Sequence, residues 1–357
     1  MVNMLDRRFW RGCVDAWIES KTSTQHLING EKEYRYILST ERQAQWGGYF
    51  QPANKTTRLF PWLITNNIKQ PNAKDIQRFL KELRNKGLRL TTINQRLYVI
   101  RDFFRYLNDH NIYQNDVANV VAYKIKSDNQ HIRENITPDM MRKIAKLMNL
   151  KNIKGLRDLA ILTLAYTENA RINTLISLKK KDFVFNNNTN TYKMRFSVVK
   201  NKTLDSQSYD EITPASGKAI SKYLIELENN NIILSASDPL FISTKNINKK
   251  NALLQTSVSK IAKDYISSLV KDGVIHESEL TLYTAHSFRH GFMSEVSEYF
   301  GMNEANVLGG HKSVETTKRY IHTKNIKSLK KQKNIMFTNS VGNFIEDLLS
   351  NRMKTSA

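Results

Sequence analysis

Apolar positions recur every three or four residues along most of this chain, the spacing of helices that bury one face. The clearest case is TTINQRLYVIRDFFRYLNDH at 91–110. There Leu97, Ile100, Phe104 and Leu107 form one stripe, while Asn94, Arg101 and Arg105 fall elsewhere around the helix. Two shorter patterns precede it, TTRLFPWLITNN at 56–67 and NAKDIQRFLKELRNKG at 72–87. Together they predict a small helical bundle over 56–125 with basic outward faces. The charged and aromatic stretch before it, with Phe9, Trp10 and Trp17, reads as a helical extension over 1–55 with no assigned role. It ends at GGYFQPANKT, where Gly47, Gly48 and Pro52 interrupt any regular element.

The pattern then breaks at YKIKSDNQHIRENITPDM (123–140), a polar stretch that predicts an interdomain linker over 126–136. Thr137 followed by Pro138 is a helix start, a hydroxyl cap with proline in the first helical position. A second domain over 137–325 is expected to carry helices at 138–148, 155–168 and 172–179. Residues 183–213 alternate β-formers with Asn-rich turns and predict two or three short strands. Helical patterns resume at 216–228, 254–271, 286–300, 303–309 and 313–321. Over 326–357 a Lys-rich linker leads to Val341, Phe344, Ile345, Leu348 and Leu349, again in helical phase. The expected fold is mainly α, with two domains: a helical bundle and an α-rich domain holding a small antiparallel sheet.

Composition narrows the function. The chain has 357 residues, 40% of them apolar and 25% charged. The longest apolar stretch, LAILTLAY at 159–166, suits a buried helix and is too short for a membrane span. MVNMLDRRFWRG lacks the design of a secretory signal. A single cysteine, Cys13, forms no intrachain disulfide and reads as a small buried apolar group. Charge is the strongest signal: 55 Lys plus Arg against 33 Asp plus Glu leave +22. The excess is dispersed, with local densities at KKKD (179–182), KNINKK (245–250) and KNIKSLKKQK (324–333). That distribution suits a protein that wraps a polyanion, and nucleic acid is the expected partner. No membrane partner is expected.

Against that background AHSFRHGF at 285–292 carries chemistry. His286, Arg289 and His290 share one helical face, while Phe288, Phe292, Val296 and Tyr299 form the apolar stripe of the same helix. Other candidates surround it: Arg171 in TENARINTLISL, Lys200 and Lys202 in VVKNKT, and His311 and Tyr320 in LGGHKSVETTKRYIH. Two arginines fit the non-bridging oxygens of one phosphate. Histidines and a lysine supply donors and proton transfer. A tyrosine among cations is drawn towards its phenolate. The set fits in-line attack of Tyr320 on a phosphodiester, with Lys202 protonating the leaving oxygen. Side chains supply all the positive charge, so no metal or other cofactor is called for. A zinc site on His286, His290, His311 and His322 is the competing reading. It lacks the glutamate of a His-Glu-x-x-His helix, and only Glu315 is near.

In order and spacing the set resembles the tyrosine recombinases, or phage integrases. AHSFRHGF is similar to the family's His-x-Leu-Arg-His followed by a small residue. GGHKSVETTKRYIH is similar to its Leu-Gly-His, Thr-Thr and Tyr-x-His arrangement. Arg289 and His311 are 22 residues apart, and Tyr320 lies 9 further on. The resemblance covers roughly 136–325, and the bundle before it looks like the family's core-binding domain, making the whole a two-domain DNA clamp. It implies that Arg171, Lys202 (or Lys200), His286, Arg289, His311 and Tyr320 are catalytic, and that Asn94, Arg101, Arg105 and Lys200 contact DNA. His290 and His322 take structural roles in that scheme. It further implies a 3′-phosphotyrosyl intermediate, a Holliday junction and a homotetramer on paired double-stranded sites. Accessory DNA-bending proteins and a cytoplasmic, nucleoid-associated setting on a mobile element, phage or bacterial chromosome are compatible with that cycle. The chain departs from the family at three places. Glu168-Asn169-Ala170-Arg171 stands for Thr-Gly-x-Arg, where asparagine is the best substitute for a left-handed glycine. Thr174 stands where an acid is usual, and Gly309 replaces a leucine. The C-terminal stripe is expected to dock on a neighbouring protomer, with packing on its own domain as the alternative. A type IB topoisomerase-like or telomere-resolving enzyme, or a catalytically silent DNA-binding regulator, would use the same fold.

Overall fold

The computed structural model describes residues 7–22, 58–124, 134–196, 209–309 and 323–354. The chain divides into two units, Met1–Gln130 and His131–Ala357.

In the first unit α1 (Arg7–Thr22), α2 (Leu59–Thr65), α3 (Ala73–Asn85) and α4 (Leu90–Asp109) share one core. Helix α1, expected as an extension without a role, belongs to that core: Val14, Trp17 and Ile18 are buried. Trp17 meets Phe103 of α4 edge to face at 5.4 Å, a favourable aromatic geometry. Pro61 is tolerated in α2 because it sits in the first turn, where its missing N–H had no helical partner. A capping box starts α3: the Asn72 side chain accepts from the Asp75 N–H at 3.1 Å, and the Asp75 carboxylate accepts from the Asn72 N–H at 3.1 Å.

The ends of these helices repeat one device. Asn67 (φ 52°), Gly87 (φ 80°) and Asn111 (φ 52°) follow α2, α3 and α4 in left-handed conformation. The next N–H in each case reaches back to the carbonyl of Leu63, Leu83 or Leu107. This paired-bond helix stop usually uses glycine, and asparagine fills the position twice here.

The second unit opens as its sequence suggests. Thr137 Oγ1 accepts from the Met140 N–H at 3.3 Å and Pro138 begins α5 (Pro138–Leu147). Helix α6 (Ile153–Thr167) is buried along almost its whole length, and the short α7 (Ile172–Ser177) follows. A three-stranded antiparallel sheet in the order β1 (Phe183–Asn186), β2 (Thr191–Met194), β3 (Asp210–Glu211) occupies the expected stretch. Beyond it come α8 (Pro214–Asn229), α9 (Gln255–Lys271), α10 (His286–Phe300) and α11 (Met302–Gly309). The predicted helix at 313–321 lies outside the described residues.

The Lys-rich run at 324–333 is not a linker. It forms most of α12 (Thr323–Phe337), which buries Leu329, Met336 and Phe337. Phe337 stacks on Phe292 of α10 at 5.3 Å and meets the Tyr166 ring of α6 at 5.8 Å. A π turn (Thr338–Gly342) leads directly into α13 (Asn343–Lys354). Val341, Ile345 and Leu349 are buried in the core of their own unit, and Lys218 of α8 is paired with Glu346. In the single chain the segment packs on its own unit, the alternative to docking on a neighbouring protomer. The five-residue turn after an anchored Phe337 leaves little slack, so the apolar face covers the nearest apolar surface.

Candidate active site

Two segments far apart in sequence build the described part of the site. The first is the turn between α6 and α7. Asn169 adopts φ 55°, the left-handed backbone expected of it, and Arg171 follows at the N-cap of α7 with an exposed side chain. The second is the start of α10. There the Thr284 hydroxyl accepts from the His286 N–H at 3.3 Å, and the Ser287 hydroxyl accepts from the Thr284 N–H at 3.0 Å. That reciprocal cap fixes the turn carrying His286 and Arg289. The chain entering the unit adds a further tie, the Ile136 N–H donating to Ser287 O at 3.0 Å.

Gly291 explains the small residue of the motif. A Cβ there would overlap the Ile136 carbonyl oxygen and lie 2.6 Å from Cε2 of Tyr166. Helix α10 therefore sits against both at a distance no side chain permits. Phe288, Phe292 and Val296 are buried as the stripe predicts, whereas Tyr299 is 69% exposed and leaves it.

Arg289 joins the two segments. Its guanidinium donates to Asn169 O and, at 3.0 Å, to Gly309 O at the end of α11. These two contacts are to neutral carbonyls, which fix the plane of the group. Burial pushes its pKa down to about 10, and the neighbouring Arg171 cation pushes the same way. It remains a cation at neutral pH. Two cations held this close are unfavourable by themselves and favourable around an anion such as a phosphodiester. His286 and His290 lie exposed on the same helix. Among the described residues no group of three His, Cys, Asp or Glu is placed to hold a metal.

Lys200, Lys202, His311, His322 and Tyr320 lie outside the described residues. In the first unit Asn94, expected to contact DNA, is buried: its amide donates to Tyr123 O at 2.7 Å, and its oxygen accepts from the Tyr123 N–H at 2.8 Å. These two bonds tie α4 to the chain where it leaves the bundle. Arg101 gives Nε to Ala118 O at 2.8 Å, and Arg105 is exposed.

Sequence reasoning missed Glu168. One oxygen accepts from the Thr213 N–H at 2.8 Å and the Thr167 hydroxyl at 3.1 Å; the other accepts from Lys333 Nζ at 2.5 Å. Its only sequence signal was that it replaces the threonine of the family's Thr-Gly-x-Arg. Lys333 is hidden among the lysines of 324–333 with no signal at all.

The phage integrase family model matches residues 134–327, and its N-terminal SAM-like domain matches residues 55–111. The chain belongs to the phage integrase family and is a DNA breaking-rejoining enzyme of the tyrosine recombinase class. It is 22% identical over 263 residues to the tyrosine recombinase XerC of Staphylococcus carnosus, spanning 72% of this chain and 79% of that protein. It is 22% identical over 298 residues to XerA of Pyrococcus horikoshii, spanning 81% of this chain and 91% of that one. Among solved structures, the Tn1549 transposon integrase in complex with a circular intermediate DNA matches with a TM-score of 0.53 at 12% identity, over 90% of this chain and 99% of that one. A λ integrase dimer bound to a core site matches with a TM-score of 0.50 at 16% identity, over 86% and 96%. At these identities the structural likeness establishes the fold. Among the described residues no helix is long and apolar enough to cross a membrane.

Proposed function

We propose that the chain is a site-specific recombinase that exchanges strands between two double-stranded DNA sites, as an integrase or excisionase of a mobile element does. The observation that carries this is that the Arg289 guanidinium of α10 is held by the Asn169 carbonyl in the turn that presents Arg171. The Tyr320 oxygen attacks the scissile phosphorus, and the bond to the 5′-oxygen breaks. Lys202 gives that oxygen its proton, leaving a 3′-phosphotyrosyl link and a 5′-hydroxyl. Arg171, Arg289, His286 and His311 hold the charge that builds on the non-bridging oxygens. Attack by the partner's 5′-hydroxyl then exchanges the strands through a Holliday junction in a tetramer. The covalent link conserves the phosphodiester, so no nucleotide is hydrolysed. Arg101, Arg105 and Lys200 contribute to duplex binding, whose affinity falls steeply with salt.

A duplex nicked close to the cleavage point traps the intermediate, because the short 5′-product diffuses away. Denaturing gels should show a covalent adduct with the native chain and none with Tyr320→Phe. An adduct formed by Tyr320→Phe would sink the mechanism. Junctions formed from paired target sites separate recombination from a topoisomerase-like activity, which would relax supercoils and leave no junction.

A further inference from the structure

The helix that follows the Tyr320 segment is tied by three side chains to the segments that carry the other candidate groups. Lys330 donates to Asp210 at 2.6 Å and Asn334 to Glu211 O at 3.4 Å, so α12 grips β3, the first described element after Lys200 and Lys202. Lys333 donates to Glu168 at 2.5 Å and to Thr167 O at 3.3 Å, so α12 also grips the turn that presents Arg171. Glu168 reaches the residue after β3 as well, through the Thr213 N–H. The Lys333–Glu168 pair is almost wholly buried, with side chains 6% and 5% exposed, whereas the Lys330–Asp210 pair is about half exposed.

A buried ion pair is a poor source of net stability, because desolvating two charges offsets most of their attraction. Its gain is directional, since an unpartnered charge there is costly and few other arrangements satisfy both groups. We propose that Glu168 and Lys333 are positioning residues for DNA cleavage. They would set the register of α12, which follows Tyr320 in the chain, against the Arg171 turn and the strand that follows the lysines. This rests on the recombinase reading above. In-line attack tolerates little displacement, and a shift of about 1 Å can cost on the order of 10²-fold in rate.

The test uses the full chain, the nicked duplex and single-turnover conditions. DNA affinity and melting temperature are measured beside the rate of adduct formation. Glu168→Gln and Lys333→Met each leave one buried charge and should lose both melting temperature and rate. The double variant Glu168→Gln, Lys333→Met leaves none, so its melting temperature should return towards the native value. Its cleavage should stay slower by about tenfold or more, with DNA affinity within about threefold. Lys333→Arg, which keeps the charge, should cleave faster than the double variant. A double variant that regains native cleavage along with native melting would overturn the inference, since the pair would then be merely structural. Where the buried variants do not fold, Lys330→Ala carries the test as a surface change: a loss of about threefold supports the brace and a native rate overturns it. Absence of adduct with the unaltered chain is a different result and refutes the recombinase reading itself.

Discussion

Asn94 and Arg289 each sit on a long helix of their unit and each donate to backbone carbonyls distant in sequence. Asn94 is used up by doing so, because its amide is matched at both ends by one backbone residue. The two carbonyls that hold Arg289 orient its guanidinium without neutralising it, and Arg171 pushes its pKa the same way as burial does. Both residues lie on what a helical wheel draws as the polar face. In the proposed mechanism Arg289 serves through its formal charge, which an amide such as Asn94 does not carry.

The comparison can be broken most decisively at Arg289. Lysine in its place cannot span two carbonyls in one plane, and adduct formation in single turnover should fall about 10²–10³-fold with DNA affinity little changed. A native rate would mean the fixed plane is irrelevant. Gly291→Ala forces α10 away from Ile136 and Tyr166, and should cost about 1–3 kcal/mol in denaturant unfolding of the second unit. Asn94→Ala removes the side-chain partner of the half-buried N–H and C=O of Tyr123 and should cost about 1–2 kcal/mol in the first unit, leaving the salt dependence of DNA binding as it was. A weakened salt dependence at unaltered stability would instead make Asn94 a DNA contact. Arg105→Ala should do the reverse, lowering the slope of log affinity against log salt by about 1 with no loss of stability. Smallest of all, Asn169→Gly should shift stability by less than about 0.5 kcal/mol, while Asn169→Ala should cost about 1–2 kcal/mol because alanine resists the left-handed backbone.

Local chemistry was legible in the sequence. Thr137-Pro138 starts a helix because a hydroxyl cap and a missing N–H suit that position wherever the chain goes next. Asn169 takes the left-handed turn because asparagine tolerates that backbone better than most side chains do. The order of Arg171, His286 and Arg289 pointed to a candidate site because chemistry restricts which residue types can stand together. What stayed hidden was the choice of partner. Nothing in VGNFIEDLLS says which apolar surface Val341, Ile345 and Leu349 will cover. Trp17 likewise gives no sign that it will meet Phe103, 86 residues away. The hub at Glu168 was illegible for the same reason: a glutamate and a lysine 165 residues apart form a pair only after the whole unit has closed.

The helix stops at Asn67 and Asn111 recur after α8, where Asn231 (φ 59°) lets the Ile232 N–H reach Leu227 O at 2.9 Å. At all three the asparagine precedes an isoleucine. Glycine is written in codons that begin with two guanines, whereas asparagine and isoleucine codons both begin with adenine and can be spelled in adenine and thymine alone. The stop signal of these helices can therefore be encoded without guanine or cytosine. A gene under pressure towards adenine and thymine could keep its punctuation through asparagine's tolerance for a backbone that other side chains resist.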